Sequence, residues 1–312
     1  MAGMVLATVP VYSGGPPAGG MWGDWLDWVA LRRAWGDGMP TIAAPAPSCV
    51  GVVTPTLNAE RYLERTLRSI WGQRRPWLAI DHLIVDGDST DRTREIAAGF
   101  PSRVLVGRDG GMYEAINRGM AEVRGDVVGY INADDEIAPG GLALVARAFA
   151  ARPEVQWVCG RLEYVDGHDR PLGSWTPVRM SVRAYAGIGW SCIPQQTVWV
   201  RRSFFERVGP FDTAFRNCGD YDWYVRAMKL SPPLILPQVI GRFRLHEGNL
   251  SYDEERMLRE SRMVQEKHGY ADRGSWALGR LLSLRLNARN PRWLVAKKTG
   301  RITFTPARRL PA

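Results

Sequence analysis

Short apolar runs alternate with helically spaced apolar residues along this chain from about residue 49 onward. The runs at 49–54 and 82–85 are largely apolar, which is typical of buried strands. Each is followed by a segment of helical spacing, the first reaching about residue 70 and the second about residue 98. Because strand and helix follow each other twice, the pattern predicts a parallel sheet covered by helices.

Polar residues indicate where these helices begin. Asn58 is expected to cap the first helix and either Asp88 or Ser89 the second, since these side chains accept hydrogen bonds from a first helical turn. The clearest helix lies at 112–123, where the apolar positions share one face. Those positions are Met112, Ala115, Ile116, Gly119, Met120 and Val123.

The second half of the chain continues the alternation with one interruption. Residues 166–200 are rich in Gly, Pro and Trp, and this composition favours an irregular binding loop. Two helices are expected near the C-terminus. The other predicted elements are a strand that ends at Asp134, a helix at 139–152, a strand at 156–165, helices at 203–208 and 220–230, and a strand at 234–243.

Composition divides the chain into three parts. The first part is rich in Gly and Pro and contains one Trp-rich stretch, 21–35, with near-helical spacing. The basic residues concentrate in the last part. The predicted parts are an extension at 1–48, a main domain at 49–252 with halves at about 49–140 and 141–252, and C-terminal helices with a basic tail at 253–312.

The overall composition is that of a globular protein, with 312 residues and 45% hydrophobic content. No run approaches the roughly 18 consecutive apolar residues of a membrane span, and the N-terminus lacks the pattern of a secretory signal. We therefore expect a cytoplasmic protein. The four cysteines are scattered without a C-x-x-C pair, which argues against a zinc site and a disulfide framework.

The net charge of +9 is concentrated in the tail. Residues 273–312 hold ten Lys and Arg and no acidic residue, leaving 31 basic and 32 acidic residues in 1–272. Trp and Leu are interleaved with these arginines, as in helices that lie on an anionic membrane surface. A helix packed on its own domain is the alternative. Basic patches also attract nucleic acid, but we expect a membrane surface rather than nucleic acid as the partner.

Two carboxylates stand at the end of the predicted strand that finishes at Asp134. In the stretch YINADDE, Asp134 and Asp135 follow Asn132 at the edge where open α/β sheets bind ligands. Carboxylates this close repel each other unless a cation lies between them, and their oxygens suit Mg²⁺ or Mn²⁺ bridged to substrate phosphates. A solvated acidic turn is the alternative interpretation.

Seven segments together resemble one family. They are VVTPTLNAERYLERTLRSI (52–70), HLIVDGDSTDRT (82–93), RDGGMYEAINRGM (108–120), YINADDEIAPG (130–140), PQQTVWVRRSFFERVGPFD (194–212), CGDYDWYVRAM (218–228) and FRLHEGNLS (243–251). In this order they resemble the family 2 glycosyltransferases of the GT-A fold, an α/β nucleotide-binding fold, and most closely the bacterial polysaccharide and lipopolysaccharide branch. The resemblance implies inverting transfer of a sugar from a nucleotide diphosphate donor to an acceptor hydroxyl, with Mn²⁺ or Mg²⁺. The implied acceptor is a saccharide or lipid-linked saccharide at the inner membrane face.

For the donor, the resemblance implies nucleotide contacts near the strand ends. Asp86 and Asp88 can accept hydrogen bonds from a nucleobase or ribose, although the family commonly has two adjacent Asp residues where this chain has Gly87 between them. The expected nucleotide contacts are Thr54, Pro55, Asn58, Asp86, Asp88, Asp109, Asn117 and Asn132. Two of these have structural alternatives, because Asn58 suits a helix cap and Asn117 can bond within the protein.

For the metal, the resemblance places the ligand of the family D-x-D motif at Asp134. Asp135, beside it, is expected either to join the metal ligands, to point toward the acceptor or to support the loop, and His246 is expected to complete the diphosphate site from the second half of the chain. Asn132 stands where the motif has its first Asp. Its amide can still bond a ribose or a metal-bound water, so we expect the site to persist with less negative charge.

For the reaction, the family takes its general base from an acidic pair at a helix start, which here reads Gly219 and Asp220. Asp220 is therefore the expected base, with Asp222 in its place if the register shifts. Both carboxylates would also suit a helix N-terminus electrostatically. The expected acceptor-side residues are Trp190, Gln195 and Gln196.

Two other functions compete with this one. A catalytically degenerate nucleotide-sugar or carbohydrate-binding protein is favoured by the unusual residues Asn132 and Gly219, and turnover of a labelled donor would separate it from an enzyme. A sugar-phosphate nucleotidyltransferase would also use an α/β domain and Mg²⁺. It would carry a Gly-rich phosphate loop with Arg and Lys near the N-terminus, which the sequence lacks.

Overall fold

The apolar runs of the sequence join into one sheet of nine strands. The computed structural model describes residues 49–300 and 302, so the expectations for residues 1–48, including the helix at 21–35, lie outside the described part of the chain. The strands are β1 (Cys49–Thr56), β2 (Ala79–Asp86), β3 (Arg103–Val106), β4 (Val127–Tyr130), β5 (Glu136–Ile137), β6 (Trp157–Val165), β7 (Pro171–Trp175), β8 (Trp199–Arg201) and β9 (Leu234–Arg244).

Helices follow most of the strands. They are α1 (Leu63–Trp71), α2 (Thr93–Ala98), α3 (Met112–Glu122), α4 (Gly141–Ala151), α5 (Val182–Gly187), α6 (Arg202–Val208), α7 (Gly219–Leu230), α8 (Glu254–His268), α9 (Arg273–Arg289) and α10 (Pro291–Lys298). Short 3₁₀ turns occupy Gln195–Thr197 and Leu250–Tyr252. The helix predicted at 112–123 is confirmed by α3, whose apolar stripe is the most regular in the sequence.

The strand order shows where the sheet changes direction. The order is β3-β2-β1-β4-β8-β6-β9-β5, with β7 paired to β6. Strands β3, β2, β1 and β4 run parallel, as the successive strand–helix units predicted. Strand β8 is antiparallel to both of its neighbours, β4 and β6. The carboxyl ends of β1 and β4 therefore border the place where strand direction reverses, a common position for ligand sites.

The predicted irregular loop at 166–200 contains regular elements between irregular stretches. Strand β7, helix α5 and most of β8 fall within it. Trp175 pairs with Leu162 of β6 and is 3% exposed. Long-range pairing and burial thus override the turn-forming composition of this stretch.

The predicted helix caps also differ from the structure. Asn58 lies before α1 with a positive φ of 49°, and its Oδ1 accepts a hydrogen bond from the N–H of Thr90 at 2.9 Å. The first N–H of α2 is bound by Asp91 at 3.0 Å, rather than by Asp88 or Ser89. The polar residues after β1 and β2 therefore join two neighbouring loops to each other, and sequence spacing alone does not distinguish this from capping.

In residues 253–300, the described part of the C-terminal segment, there are three helices, α8 to α10, rather than the expected two, and they join the main core. Leu282 and Leu286 of α9 and Trp293 of α10 belong to the same buried cluster as side chains of the sheet. Helix α9 lies so close to α5 that a Cβ on Gly279 would stand 2.3 Å from the backbone of Gly187. The alternative of a helix packed on its own domain is confirmed for this face of α9.

Two expectations from composition can be compared with the described residues. Cys159, Cys192 and Cys218 are buried, Cys49 is half-buried, and all four are free thiols within the described part of the chain. Among residues 49–300 and 302, no helix has both the length and the apolar character that a bilayer crossing requires.

A substitution on α9 tests how the tail contributes to folding. Leu286→Ala is expected to lower the free energy of unfolding by about 2–5 kcal/mol, because Leu286 is fully buried and its removal leaves a cavity. Denaturant unfolding measures the change. Leu284→Ala is the matched control: Leu284 is 66% exposed on the same helix, and its loss should cost less than about 0.5 kcal/mol. Equal effects of the two substitutions would contradict the packing of α9.

Candidate active site

The carboxyl ends of β1 and β4 open into a cleft of about 820 Å³. Its walls include Pro55 of β1, Asp134 after β4, Asp220 at the start of α7 and His246 after β9. Ligand pockets of about 300–1,000 Å³ commonly lie at such edges of α/β sheets. The cleft is therefore the candidate site, assembled from segments far apart in sequence.

Asp134 and His246 meet in this cleft, as predicted. Nε2 of His246 lies 2.9 Å from Oδ2 of Asp134, and Nδ2 of Asn249 lies 3.4 Å from the same oxygen. The side chain of Asp134 is 29% exposed and that of His246 is 11% exposed. The carboxylate is thus held in place while part of it still faces the cleft.

The hydrogen bonds of His246 indicate which ring nitrogen carries the proton. The N–H of Gly248 donates to Nδ1 at 3.1 Å, so the proton is assigned to Nε2, which donates to Asp134. The imidazole also rests against Tyr62, with ring centroids 4.8 Å apart. A cation bound to Nε2 would require the other tautomer and the loss of the Gly248 bond. Asp134 could therefore bind a cation without such a change, whereas His246 could not.

Asn132 contributes an acceptor that the described protein leaves unused. Its Oδ1 is buried without a hydrogen-bond partner in the described residues, whereas its Nδ2 lies 3.5 Å from Oδ2 of Asp135. Such orphaned atoms are uncommon in native proteins and often mark a ligand or water position. Over the described ranges, no cluster of three or more His, Cys, Asp or Glu side chains could hold a metal by itself. A cation here would take further ligands from its substrate.

The structure contradicts the prediction that Asp135 is a metal ligand. Its side chain is fully buried, where Nε2 of Gln196 donates to it at 2.8 Å and the N–H of Arg244 donates at 3.0 Å. Burial, reinforced by the charge of Asp134, raises the pKa of Asp135 well above its ordinary range. Asp135 follows the turn at residues 133–134, where its N–H donates to the carbonyl of Asn132 at 3.1 Å, and of the two carboxylates only that of Asp134 faces the cleft.

Arg244, which no motif marked as functional, anchors the loop that carries Asp134. Its guanidinium is almost fully buried, donates from Nε to the carbonyl of Asp134 at 3.1 Å, and pairs with Glu136 and Asp169. The group also lies 5.1 Å from the ring centroid of Tyr62. A buried charge must be paired, so an arginine within a strand that is otherwise largely apolar indicates that acidic partners lie nearby in the fold.

Asp220 lines the cleft at the start of α7, as predicted. Its Oδ1 accepts a hydrogen bond from the N–H of Tyr221 at 2.7 Å and lies 3.4 Å from the hydroxyl of Tyr113. The N–H of Asp220 donates to that hydroxyl at 3.1 Å. Burial raises the pKa of Asp220 to about 6. A carboxylate with a pKa near neutrality is suited to accept a proton during a reaction.

Packing explains why Gly219 replaces the glutamate that commonly precedes this aspartate. A Cβ at Gly219 would stand 2.7 Å from the ring of Tyr113. A carboxylate nevertheless reaches this loop, since Glu260 of α8 accepts hydrogen bonds from the backbone N–H groups of residues 216–218 at 2.8–3.1 Å. Glu260 therefore fixes the segment before Asp220 from a helix that is distant in sequence.

The structure contradicts Asp222 as an alternative base. Its carboxylate is fully buried and bonds Nε2 of His268 and Nε of Arg226, both at 2.9 Å, and pairs with Lys267 at 2.7 Å. Burial alone would raise the pKa of Asp222, but the hydrogen bond with His268 and the cationic Lys267 and Arg226 hold it below its ordinary value. Asp222 joins α7 to α8 on the face of the helix turned into the protein.

On the donor side, the structure contradicts Thr54 as a nucleotide contact. Its side chain is buried and bonds Nε2 of His82 at 2.9 Å, while burial lowers the pKa of that imidazole to about 3. Strand β1 continues to Thr56, two residues beyond the expected end, so the cleft edge is displaced along the chain. Pro55 and Asn58 do line the cleft, together with Thr56.

Asp86, the last residue of β2, and Asp88, just after it, interact with neighbouring polar side chains of the protein. Asp86 is fully buried and accepts hydrogen bonds from the hydroxyl of Thr56 and the N–H of Ser89, both at 3.0 Å. Asp88 has a φ of 71° and lies 3.4 Å from Nε of Arg108. The expected nucleoside contact is contradicted for Asp86, whose oxygens are bonded inside the protein.

Asp109 and Asn117, two further expected nucleotide contacts, have different surroundings. Asp109 lines the cleft, and burial raises its pKa. Asn117 bonds the backbone of Phe211 twice, donating to its carbonyl at 2.8 Å and accepting from its N–H at 2.9 Å. The alternative that Asn117 bonds within the protein is therefore confirmed.

The three expected acceptor-side residues all line the cleft. Gln195 donates to the carbonyl of Tyr130 at 2.7 Å, so its amide, like that of Gln196, already has a partner in the protein. Trp190 is 36% exposed, and its ring centroid lies 5.6 Å from that of Trp175. Trp190 thus offers an accessible aromatic surface to a ligand.

Known proteins share this sequence pattern and fold. Glycosyl transferase family 2 matches residues 51–209. A PGL/p-HBAD biosynthesis glycosyltransferase of Mycobacterium tuberculosis (strain ATCC 25177 / H37Ra) is 29% identical over 220 residues, which cover 68% of this chain and 78% of that protein.

Two solved structures are similar at the level of fold. TarS 1–349 of S. aureus, in complex with UDP-GlcNAc, has a TM-score of 0.56 at 20% identity, covering 80% of this chain and 74% of that chain. Glucosyl-3-phosphoglycerate synthase from Mycobacterium tuberculosis, in complex with Mn²⁺, UDP and glucosyl-3-phosphoglycerate, has a TM-score of 0.54 at 20% identity, covering 77% and 88%. Since the family match spans just over half of the chain, this protein belongs to glycosyl transferase family 2 and is a glycosyltransferase of the GT-A fold.

Proposed function

We propose that this enzyme transfers a sugar from a nucleotide diphosphate donor to a hydroxyl of a saccharide or lipid-linked saccharide, with inversion at the anomeric carbon. We place this reaction in cell-surface polysaccharide biosynthesis at the inner face of the membrane. The observation that carries the proposal is that one cleft is lined by both the Asp134–His246 pair and Asp220. The donor class is supported by the UDP-GlcNAc and UDP complexes of the similar structures.

The residues near Asp134 fit a divalent cation, Mn²⁺ or Mg²⁺. Asp134 offers a partly exposed carboxylate, Asn132 an unused amide oxygen, and His246 a ring nitrogen once the tautomer changes. Oxygen-rich sites of this kind, completed by substrate phosphates, suit these ions. A bound cation would neutralise the charge of the leaving nucleotide diphosphate. The Mn²⁺ in the similar synthase supports this assignment.

Asp220 would act on the acceptor. The acceptor hydroxyl attacks the anomeric carbon on the face opposite the diphosphate, its proton passes to a carboxylate oxygen of Asp220, and the bond to the diphosphate breaks. Tyr113 and the first turn of α7 orient the carboxylate through the contacts at Oδ1. The loop before it is fixed by Glu260. Asp220 is thus a positioned base, and a single displacement of this kind inverts the configuration.

The raised pKa of Asp220 predicts how activity depends on pH. A base must be ionised, so kcat/KM for donor turnover should rise with pH through about 6 and be lost as the pH falls below that value. A pH–rate profile on the wild-type enzyme measures this limb. A limb near the ordinary aspartate pKa of about 3.9 would contradict the environment described for Asp220.

The acceptor would bind beside Trp190. An exposed indole next to a second tryptophan suits either the apolar face of a sugar or an apolar aglycone. Trp190, Asp220 and the donor pocket then belong to one continuous cleft.

A thermal-shift panel tests the donor assignment. UDP, GDP, dTDP and CMP compounds are added to the purified protein with Mn²⁺ or with EDTA, because a ligand that binds only the native state raises its unfolding temperature. At least one nucleotide diphosphate sugar should raise that temperature more with Mn²⁺ than with EDTA. The donor proposal would be contradicted if every member of the panel left the temperature unchanged in both conditions.

A further inference from the structure

Helix α9 carries a second apolar face in addition to the one that packs in the core. Trp276, Leu281 and Leu284 are 62%, 58% and 66% exposed. Leu281 and Leu284 continue a stripe with Ala277 and Ala288, both also exposed, at successive turns of the helix. A contiguous row of exposed apolar side chains on one helix commonly marks a binding surface. We refer to Ala277, Leu281, Leu284 and Ala288 as the outer face of α9, and Trp276 stands on the flank of the helix beside it.

Positive charge surrounds the outer face. Residues 273–300 contain seven Lys and Arg and no Asp or Glu, and the guanidinium of Arg280 lies 5.7 Å from the ring centroid of Trp276. Helix α8 provides the contrast. Its exposed Leu258 stands on a helix whose arginines form ion pairs with glutamates of the same helix. Helices α9 and α10 thus combine an exposed apolar row with seven basic and no acidic residues, which α8 does not.

We propose that the outer face of α9, with the basic residues of α9 and α10, docks on an anionic phospholipid surface. Trp and Leu side chains would enter the boundary between head groups and acyl chains, while Arg and Lys would contact the lipid phosphates. The same face of a second copy would carry like charge and repel it. Nucleic acid would satisfy the charges but leave the leucines in water. Docking uses neither Asp134 nor Asp220, so it stands independently of the proposed reaction.

Vesicle sedimentation of the full-length protein tests the proposal. The vesicles are phosphatidylcholine alone or phosphatidylcholine with phosphatidylglycerol, at low and high salt. Wild-type protein should sediment with the anionic vesicles and be released by salt, since exposed charges are screened. The double variant Leu281→Ser/Leu284→Ser should bind them at least about tenfold more weakly, because two side chains no longer transfer from water.

Leu258→Ser is the matched control, because it removes an equally exposed leucine from a helix of mixed charge. It should sediment like wild type. Thermal unfolding without vesicles should be unchanged for all variants. Three results would overturn the proposal: equal sedimentation of wild type and the double variant, equal loss in the control, or a lowered unfolding temperature of the double variant. The last result would mean that another part of the chain covers the outer face.

Discussion

Replacing Asp220 with Asn is expected to lower kcat by about 10²- to 10⁴-fold, while the dissociation constant of the donor stays within about twofold of wild type. The amide keeps the shape of the carboxylate but cannot accept the proton of the acceptor hydroxyl. The residue lies at the first turn of α7, where its Oδ1 already has backbone and tyrosine partners, so the loop should remain in place. Steady-state turnover and titration calorimetry with the donor measure the two quantities.

Asp222→Asn provides the matched control for this variant. It makes the same chemical change on the same helix, but in a buried network with His268, Arg226 and Lys267. We expect a lower unfolding temperature and a kcat close to wild type for the folded protein. Wild-type turnover in Asp220→Asn, or the same loss of turnover in both variants, would contradict the assignment of the base.

Asp134→Ala is expected to remove the dependence of nucleotide binding on the divalent cation. In the wild type, nucleotide diphosphate should bind more tightly with Mn²⁺ than with EDTA. In the variant the two affinities should become equal, with a loss of at least about 100-fold in the presence of Mn²⁺, since even outer partners of a metal cost 10- to 100-fold. Asp134 is the partly exposed carboxylate beside His246, so the cation loses its anionic protein ligand.

Glu247→Ala controls for the loss of one negative charge near the site. Glu247 also lines the cleft, but its carboxylate pairs with Arg61. This variant should keep the Mn²⁺ effect on nucleotide binding. If Asp134→Ala retained that effect, or if Glu247→Ala lost it equally, the carboxylate of Asp134 would not be the ligand.

The elements that sequence could predict are those with strong local patterns. The parallel strands β1, β2 and β4 are short apolar runs, and α3 has an uninterrupted apolar stripe. The apolar run before Asp134 placed this residue at the sheet edge, although β4 itself ends at Tyr130, and the family resemblance placed Asp220 at a helix start; both residues line the cleft. Local pattern was sufficient for the strands and for α3, whereas the choice of Asp220 needed the resemblance.

Other predictions failed where a shift of one or two residues decides which way a side chain faces. Thr54 lies inside β1, which runs on to Thr56, and Asp135 follows the turn that carries Asp134 and is fully buried. Strand ends are predicted only to within a few residues, and such an error changes the expected surroundings of the residues near the end.

Residues that support the site from a distance could not be inferred from local pattern. Glu260 lies on α8 and binds the backbone just before Asp220, and Arg244 reaches from β9 to the loop of Asp134. Each contact joins segments more than 40 residues apart in sequence, at separations of 42 and 110 residues. Only the paired strands and packed helices bring such groups together.

The configuration of the product tests the proposed reaction most directly. The donor selected by thermal shift is incubated with wild-type enzyme, Mn²⁺ and a panel of alkyl and aryl glycosides, and the anomeric proton of the transferred sugar is followed by NMR. A single displacement assisted by Asp220 predicts a product whose anomeric configuration is opposite to that of the donor. A product that retains the configuration of the donor would contradict it.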